Sequence, residues 1–595
     1  MRIRLFRLSE NRTKELRPPV AAPLSEAFID LYRRKCTKNW LSLVIIFLPL
    51  FLISPGNGFS QRDFYQSYHF TQADTLRGAL RPERTCYDVT YYELRLRVYI
   101  EQKWIEGSVD IYYNALSSFE VLQIDLYHSM RIRSIEWEGQ ELTFERRKNA
   151  VFIDFPLQKA GSSGHFRVNY SGAPTEAPFA PWQGGFVWTT DDQGTPWVTV
   201  ACEGDGASLW WPNKDHLSDE PDSMLISVVV PDYLQCISNG NLRLQTSEGR
   251  GFTRYDWFVS YPINNYNVTL NIGDYVHFSD TYQAGDGSEL PLDYYVLSYN
   301  LEKAKKHFQQ VKPTLACYEH YFGKYPFWND GYALVETPYL GMEHQSAIAY
   351  GNRYLRGYMG GLIPSDMNWD YIIVHETAHE YFGNSLGCSD LSEMWIHESF
   401  ATYMESLFVE CQMGYAAAER YLQSQRPFIA NKEPILGPPG VNWDNWKKSD
   451  HYFKGAWVLH TLRNAIGNDE QWFALLRDFY RQYTLQQITT DTVVQFVNRF
   501  TGTDYTAFFE QYLWYPGIPT LEYKAEQRGR NVRLTYNWRA DVPGFKMPVL
   551  VEGNGQQRWR INPENGRKKS TILENCNAED IRIMKELFLI NTKKG

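Results

Sequence analysis

Two histidines enclose a glutamate in the segment HETAH, from His375 to His379. Residues 370–382 carry apolar side chains at helical spacing and are followed by Gly383, which predicts a helix that ends there. On a helix the two imidazoles share one face and can bind one metal ion, while Glu376 lies about 100° around the axis. This offset lets Glu376 reach a water on the metal as a general base. The alternative is a pair of hydrogen-bonded histidines on a buried helix.

A third ligand is needed, because a catalytic zinc ion has three protein ligands and one open position. Glu398 is separated from His379 by 18 residues and stands early in the next predicted helix. The stretch between them is rich in Gly, Asn and Ser and can turn the chain back. We predict that His375, His379 and Glu398 bind one Zn²⁺ per chain. His397 competes for the third position, but its spacing is less suitable.

The periodicity of the chain indicates the elements that must position these residues. In 86–275 apolar and polar residues alternate, as in ELRLRVYI and YNVTLNIG, which predicts a large antiparallel β domain. Helical spacing begins at about Leu301 and continues to about Trp514, which predicts a mainly helical catalytic domain, 276–518, with a long first helix that is kinked near Pro313. Alternation returns in 519–595 and predicts a small β domain, and 61–85 is expected to be a linker. The fold class is therefore multidomain α+β.

The first sixty residues differ from the rest in composition. A basic stretch, RRKCTKNW, precedes an apolar run of 13 residues, 41–53, and small residues follow at Gly58 and Ser60. The run is too short to cross a bilayer comfortably but has the length of a signal-peptide core, with cleavage expected before Gln61. We therefore expect residues 1–60 to be a leader and the protein to be secreted or periplasmic. If the run is instead retained as an anchor, the membrane becomes a partner.

Charge and cysteine content exclude some classes of protein. Residues 1–60 carry ten Lys/Arg and four Asp/Glu, so without them the net charge of −9 becomes −15. Such an acidic protein repels phosphate backbones, and nucleic acid is not an expected partner.

The eight cysteines include no C-x-x-C zinc pair and are too sparse for a disulfide framework. We expect mostly buried thiols, with room for one or two disulfides after export.

With these residues in place, the chain resembles the M1 family of zinc aminopeptidases, a gluzincin group. The family motif G-x-M-E-N corresponds to YLGMEHQ, which keeps Met342 and Glu343 but has Leu340 in place of the first glycine and His344 in place of asparagine. A tyrosine followed by x-K-G-A is also typical of the family, and it corresponds here to YFKGA, which begins at Tyr452.

A further part of the resemblance lies in the β domain. Glu203, nine residues before Pro212, takes the position of the family's second ammonium-binding Glu or Gln. The large helical C-terminal domain of many members has no counterpart here, which implies a more open site. Glu380 and Asn384, close behind the zinc histidines, are expected to be solvated helix residues.

The resemblance implies a thermolysin-like zinc catalytic domain that hydrolyses N-terminal residues from peptides through a zinc-bound water activated by Glu376. Tyr452 would stabilise the oxyanion. The carboxylates would bind the free α-ammonium group of the substrate, and a glycine and a methionine would contact its backbone and first side chain. The implied substrate-binding residues are Glu343, Glu203, Gly341 and Met342.

Two other functions remain open. His344 and the altered flanks of Glu398 favour a catalytically weak, metal-bearing module that only binds peptides. The second alternative is an epoxide hydrolase, known in one branch of the family. The sequence does not indicate the preferred N-terminal residue, the peptide length or the oligomeric state.

Overall fold

A β-rich part, a helical part and a second β-rich part follow one another in the computed structural model, which describes residues 64–555 and 557–595. All described residues belong to one unit, Gly56–Gly595. The predicted leader and its cleavage point before Gln61 lie outside the described residues. The order of the three parts confirms the predicted fold class.

Helices dominate the middle of the chain. The described residues form eleven α-helices: α1 Gln72–Gly78, α2 Pro82–Thr85, α3 Leu301–His307, α4 Val311–Phe322, α5 Tyr371–Tyr381, α6 Trp395–Met413, α7 Tyr415–Gln425, α8 Phe453–Ile466, α9 Asp469–Tyr483, α10 Thr490–Thr501 and α11 Thr506–Phe509. None of these helices combines the length and apolar character needed to cross a bilayer.

The long helix predicted near Pro313 is divided into two. Helix α3 ends at His307, a 3₁₀ turn covers Phe308–Gln310, and α4 begins at Val311. Pro313 is therefore in the first turn of α4, where backbone N–H groups have no partner within the helix. Because its missing N–H costs no hydrogen bond there, the helix restarts before the proline instead of kinking at it.

The N-terminal β-rich part contains fifteen strands: β1 Tyr87–Tyr99, β2 Trp104–Ala115, β3 Phe119–Asp125, β4 Met130–Trp137, β5 Gln140–Glu141, β6 Phe144–Arg147, β7 Ala150–Gln158, β8 Ser163–Gly172, β9 Gly185–Thr190, β10 Pro196–Ala201, β11 Ser223–Pro231, β12 Gln235–Ile237, β13 Asn241–Gly249, β14 Phe252–Val259 and β15 Asn271–Gly273. They form an eight-stranded sheet, β13-β14-β11-β1-β2-β8-β4-β5, and two smaller ones, β12-β15-β10-β9 and β3-β7-β6. The predicted antiparallel pairing holds for most neighbours, but β1 and β11 are parallel.

The helical part is built on a mixed sheet that positions the site. Its strands are β16 Tyr275–Gln283, β17 Glu289–Leu297, β18 Tyr332–Glu336, β19 Gly341–Met342 and β20 Ile348–Tyr350, in the order β16-β17-β18-β20-β19. The short strand β19 runs antiparallel to β20 and is the last strand of the sheet. A second, two-stranded sheet pairs β21 Leu386–Cys388 with β22 Gln486–Ile488.

The C-terminal part is a pair of small sheets, as expected for 519–595. The strands are β23 Thr520–Arg528, β24 Asn531–Arg539, β25 Val549–Gly553, β26 Gln557–Ile561, β27 Lys569–Leu573, β28 Arg582–Ile583 and β29 Asn591–Lys594. One sheet has the order β27-β24-β23-β29 and the other β26-β25-β28. The alternating apolar residues of β24 are buried, as the sequence pattern indicates.

A disulfide bond between Cys317 and Cys411 joins α4 to α6 across 94 residues of sequence. Closing such a long loop restricts the unfolded chain, so we expect Cys411→Ser to lower the free energy of unfolding by about 2–5 kcal/mol. Cys411 is the exposed partner, and its replacement leaves no cavity. Denaturant titration checks the result.

The matched control for this prediction is reduction of the unaltered protein. Dithiothreitol should destabilise the unaltered chain by the same amount and leave Cys411→Ser unchanged. Equal stability of the oxidised and reduced chains would show that the bond contributes nothing.

Candidate metal centre

Helix α5 carries the HETAH segment and is fixed at its first residue. The Asp370 side chain accepts hydrogen bonds from the amides of Ile372 and Ile373 at 2.9 and 3.3 Å. Asp370 is itself held by the Tyr350 hydroxyl at 2.7 Å and by the His307 ring at 2.6 Å. A capped N-terminus sets where the helix begins and therefore which way its histidines face.

Three buried side chains meet at the first turns of α6. The Nε2 atoms of His375 and His379 are 3.1 Å apart, and the Glu398 Oε2 atom lies 3.5 and 3.4 Å from them. Each residue is at most 5% exposed. The Glu398 Oε2 atom has no hydrogen-bond partner, although it is buried. An unpartnered carboxylate oxygen beside two imidazole nitrogens is a donor set for a metal ion.

The separations within this group agree with a tetrahedral zinc site. Zinc binds nitrogen and oxygen ligands at about 2.0–2.2 Å, so two tetrahedral ligand atoms lie about 3.3–3.6 Å apart. The measured separations of 3.1, 3.4 and 3.5 Å are close to these values. The residues present therefore fit zinc.

The other ring nitrogens of the two histidines are already occupied. His375 Nδ1 lies 2.6 Å from Glu405 Oε1, and His379 Nδ1 lies 3.0 Å from the carbonyl oxygen of Phe382. A carboxylate and a carbonyl oxygen accept hydrogen bonds, so we assign the donating N–H to each Nδ1 atom; each Nε2 atom is then directed at the group and can bind a metal ion once it is unprotonated. Glu405 is held in turn by the Tyr421 hydroxyl. Sequence reasoning missed Glu405, although it lies two helical turns after Glu398.

Glu376 faces the same cavity from α5. It is 6% exposed and forms a second close group with Glu343 and His379, with ligand atoms within 4.8 Å of one another. Burial raises the pKa of Glu376 to about 8, against the opposing effect of the neighbouring imidazoles. A pKa in this range suits a group that takes up and returns a proton near neutral pH.

Gly341 on the edge strand lies directly against Glu376. A Cβ atom at this position would stand 2.8 Å from Glu376 Oε1 and 2.7 Å from Ile372 Cγ2. We expect Gly341→Ala to displace the Glu376 carboxylate and to lower kcat/KM about 100-fold, because small errors in catalytic geometry have effects of that size. Steady-state kinetics with an aminoacyl reporter checks the prediction.

Gly285→Ala is the matched control, because a Cβ there would meet only Glu319 Oε1 at 3.6 Å. The melting temperatures of both variants should be close to that of the unaltered protein. Full activity in Gly341→Ala would mean that the close approach of β19 to Glu376 has no catalytic importance.

Two further carboxylates line the cavity that contains the metal group of His375, His379 and Glu398. Glu343 is 3% exposed, and its Oε1 atom accepts a hydrogen bond from the Tyr266 hydroxyl at 2.9 Å. Glu203 stands just beyond β10 and is half-buried. Burial, and then the nearby Glu343 carboxylate, raises the pKa of Glu203 well above its usual range. Two crowded carboxylates are stabilised by a cation that enters between them.

Tyr452 completes the arrangement opposite these carboxylates. It immediately precedes α8, and its ring stacks on that of His375 with 6.1 Å between centroids. Its hydroxyl interacts with the Glu398 carboxylate, which contributes, after burial, to raising the pKa of Tyr452 above its usual value. A phenol that stays protonated beside the metal ligands can donate a hydrogen bond to a developing negative charge.

A single cavity of about 550 Å³ contains the predicted site. Its lining includes all nine residues singled out from the sequence, namely Glu203, Gly341, Met342, Glu343, His375, Glu376, His379, Glu398 and Tyr452. Trp182, which no sequence motif indicated, also lines the cavity; it is 53% exposed and stacks on Phe179 at 4.9 Å.

His397 is not part of the metal group. Its Nε2 atom accepts a hydrogen bond from the Cys388 amide at 2.8 Å, and burial lowers its pKa to about 3. His344 is also fully buried, and burial lowers its pKa to about 3, so it adds no charge to the site. Among the described residues, the group of close metal-ligand atoms contains Glu398 and not His397.

The expectation that Glu380 and Asn384 are solvated was wrong. Glu380 is fully buried and accepts hydrogen bonds from the Tyr325 hydroxyl and the Ser346 amide. Asn384 donates to the Glu343 carbonyl oxygen at 2.7 Å. The reason is that α5 is covered on all sides, so its polar residues need partners within the protein.

The amino-acid sequence of this chain is similar to those of known peptidases. Residues 300–512 match the Peptidase family M1 domain. Aminopeptidase B of Rattus norvegicus is 24% identical over 360 residues, which are 56% of this chain and 52% of that protein. Leucyl aminopeptidase of Saccharolobus solfataricus is 22% identical over 72% of this chain and 54% of that protein. The chain spans about half the length of the curated relatives it matches.

Solved structures show the same fold. An M1 zinc metallopeptidase of Deinococcus radiodurans, in a mutant form bound to a Tyr-Ser-Ala substrate, superposes with a TM-score of 0.61 at 20% identity. The match covers 74% of this chain and 98% of that one. The same metallopeptidase without the mutation gives a TM-score of 0.58 at 21% identity, over 70% of this chain and 90% of that one. The match of residues 300–512 to the Peptidase family M1 domain agrees with the resemblance stated from the sequence motifs, and the solved structures share the expected fold.

Proposed function

Because residues 300–512 form a domain of peptidase family M1, we propose that this protein is a zinc-dependent aminopeptidase. The observation that carries the proposal is one cavity in which a His375–His379–Glu398 metal group faces a buried pair of carboxylates, Glu343 and Glu203. The metal group supports hydrolysis, and the carboxylates support selection of a free N-terminus. The substrates are then peptides with a free α-ammonium group.

The residues of the chain divide the chemistry between them. Bound at His375, His379 and Glu398, zinc would supply Lewis-acid polarisation and a water of lowered pKa. Glu376 takes the proton from the attacking water and later returns it to the departing amine. Tyr452 donates a hydrogen bond to the carbonyl oxygen as negative charge develops on it.

The preference for peptides with a free N-terminus follows from the free-energy cost of burying carboxylates that have no cation beside them. A free α-ammonium group pairs with Glu343 and Glu203, whereas an internal segment of a peptide brings no cation to them. Carboxylates left desolvated and unpaired cost several kcal/mol. This penalty disfavours binding of internal peptide bonds and of blocked N-termini.

The proposal is tested with aminoacyl arylamides and their N-acetylated counterparts, each with and without a chelator. We expect hydrolysis of the free-amine reporters, loss of activity with the chelator, and recovery when zinc is restored. Equal rates on acetylated reporters would overturn the selection of free N-termini. Undiminished activity after complete metal removal would overturn the role of zinc.

We also propose that the protein acts outside the cytoplasm, and that nucleic acid is not a partner. A disulfide between Cys317 and Cys411 supports export, because such bonds persist in oxidising compartments. Detection of the protein in the periplasmic or extracellular fraction, with these two thiols oxidised, is the expected result. Recovery in the cytoplasm alone would contradict it.

A further inference from the structure

The segment 61–85, expected to be a linker, is folded in its described part and reaches the rim of the candidate active site. The Arg77 guanidinium, at the end of α1, donates to the carbonyl oxygen of Gly204, the residue after Glu203. It also lies 3.4 Å from Asp444 Oδ2 and 3.5 Å from the Asn442 carbonyl oxygen. Arg77 therefore bridges two segments from different parts of the chain. One is residues 203–206, called the Glu203 turn here, and the other is residues 441–446.

We propose that Arg77 is a positioning residue that holds the Glu203 turn in place and so orients the Glu203 carboxylate towards the substrate α-ammonium group. The inference rests on the proposed function, since it assigns Arg77 to the binding of that ammonium group.

The contact from Arg77 adds to two hydrogen bonds within the Glu203 turn, from the Asp205 amide to the Glu203 carbonyl oxygen and from the Gly206 amide to the Cys202 carbonyl oxygen. The backbone of the turn is otherwise permissive. Gly204 and Gly206 both adopt positive φ, at +73° and +92°. Glycine in this region provides the turn but little intrinsic rigidity. In addition, Glu203 lines the same cavity as Glu343, Glu398 and Glu376, and carboxylates that share a cavity repel one another when charged. An external contact to the backbone of the turn opposes displacement by this repulsion.

Residues 441–446, which Arg77 contacts on its other side, are packed against helix α1 and the residues before it. Helix α1 packs so closely on residues 441–442 that a Cβ on Gly78 would stand 2.2 Å from the Asn442 amide nitrogen. The rings of Tyr65 and Tyr68 lie 5.0 and 4.9 Å from that of Trp443. Arg77 is thus attached to a packed surface, and its contacts can transmit a fixed position to the Glu203 turn.

An arginine suits this position better than a lysine. Its planar group presents several N–H donors at once, so it can serve the Gly204 carbonyl and the Asp444 carboxylate together. Burial acts to lower the pKa of Arg77, but the neighbouring acidic groups, Asp444 first among them, together raise it above the usual value, so the charge is retained. A lysine keeps the charge but cannot reproduce both contacts.

The test compares Arg77→Ala, Arg77→Lys and a control, Arg147→Ala, which removes an exposed ion pair with Glu145. For a free-amine aminoacyl reporter we expect Arg77→Ala to raise KM about tenfold with little change in kcat, because ground-state binding is what it loses. Arg77→Lys should recover part of the affinity, and Arg147→Ala should match the unaltered protein.

A double-mutant cycle separates positioning from general destabilisation. In the Glu203→Ala background, Arg77→Ala should have little further effect on KM, because the group that it positions is already absent. Additive effects of the two substitutions would overturn the positioning role. So would an unchanged KM in Arg77→Ala alone.

Hydrogen exchange gives a readout that does not depend on activity. In Arg77→Ala the amides of residues 203–206 and 441–446 should exchange faster than in the unaltered protein, while the core of the eight-stranded sheet stays protected. Unchanged exchange in both segments would overturn the bridge itself. If the unaltered protein hydrolyses no reporter but these amides respond, the proposed function fails and the bridge between the segments stands.

Discussion

Glu376→Gln is expected to lower kcat by about 10²- to 10⁴-fold while the affinity for a peptide changes little, because it removes general-base catalysis but keeps the shape of the side chain. The expectation rests on the place of Glu376 beside the metal group and against Gly341. Rates with an aminoacyl reporter and equilibrium binding of a short peptide check the two parts.

The matched control is Glu380→Gln, one helical turn further along α5. Glu380 is also buried, and its two carboxylate oxygens accept hydrogen bonds from the Tyr325 hydroxyl and the Ser346 amide. A glutamine can still accept from the Ser346 amide through its oxygen, while its NH₂ group donates to the Tyr325 hydroxyl oxygen. This variant should keep most of its activity. If Glu376→Gln behaved like Glu380→Gln in every assay, the protein would be a peptide-binding module rather than an enzyme.

Glu398→Ala is expected to abolish stoichiometric zinc binding and, with it, hydrolysis. With Glu398 gone, only the two imidazoles of α5 remain, and zinc sites in proteins need three protein ligands or more. The separations of 3.4 and 3.5 Å between Glu398 and the two histidines support this dependence. Metal analysis of the purified protein and a competitive zinc titration check it.

A second variant, Glu405→Gln, should show an intermediate loss of zinc affinity in the same titration. Glu405→Gln leaves all three ligands but weakens the hydrogen bond that orients His375, so the zinc affinity should fall about 10- to 100-fold without being lost. An equal loss of zinc in both variants would contradict the ligand assignment. Full zinc occupancy in Glu398→Ala would refute it directly.

The grouping of His375, His379 and Glu398 could be predicted from the sequence because their geometry is mostly local. His375 and His379 share a helix face by spacing alone, and Glu398 follows after one turn of the chain. Glu203 could be placed only through the family resemblance. It lies 140 residues before Glu343, and no periodicity of the sequence indicates that the two carboxylates meet.

The segment YNVTLNIG shows why alternation alone was insufficient. Its pattern predicted a strand, but strand β15 covers only Asn271–Gly273, and residues 265–267 form a 3₁₀ turn. The turn brings the Tyr266 hydroxyl to Glu343, and the Asn267 side chain donates to Asn384. Tertiary hydrogen bonds around the buried acid therefore override the local pattern, and single-sequence periodicity does not include such contacts.

Trp182, on the rim of the cavity, offers an optical signal for occupancy. Most of its indole surface is open to water, while it stands among the residues that line the site. A peptide that covers this ring would move it to a less polar environment and change its fluorescence emission. Titration of Glu376→Gln with unlabelled peptides would then report affinity without turnover, and the same titration of Trp182→Phe would identify the part of the signal that comes from this ring.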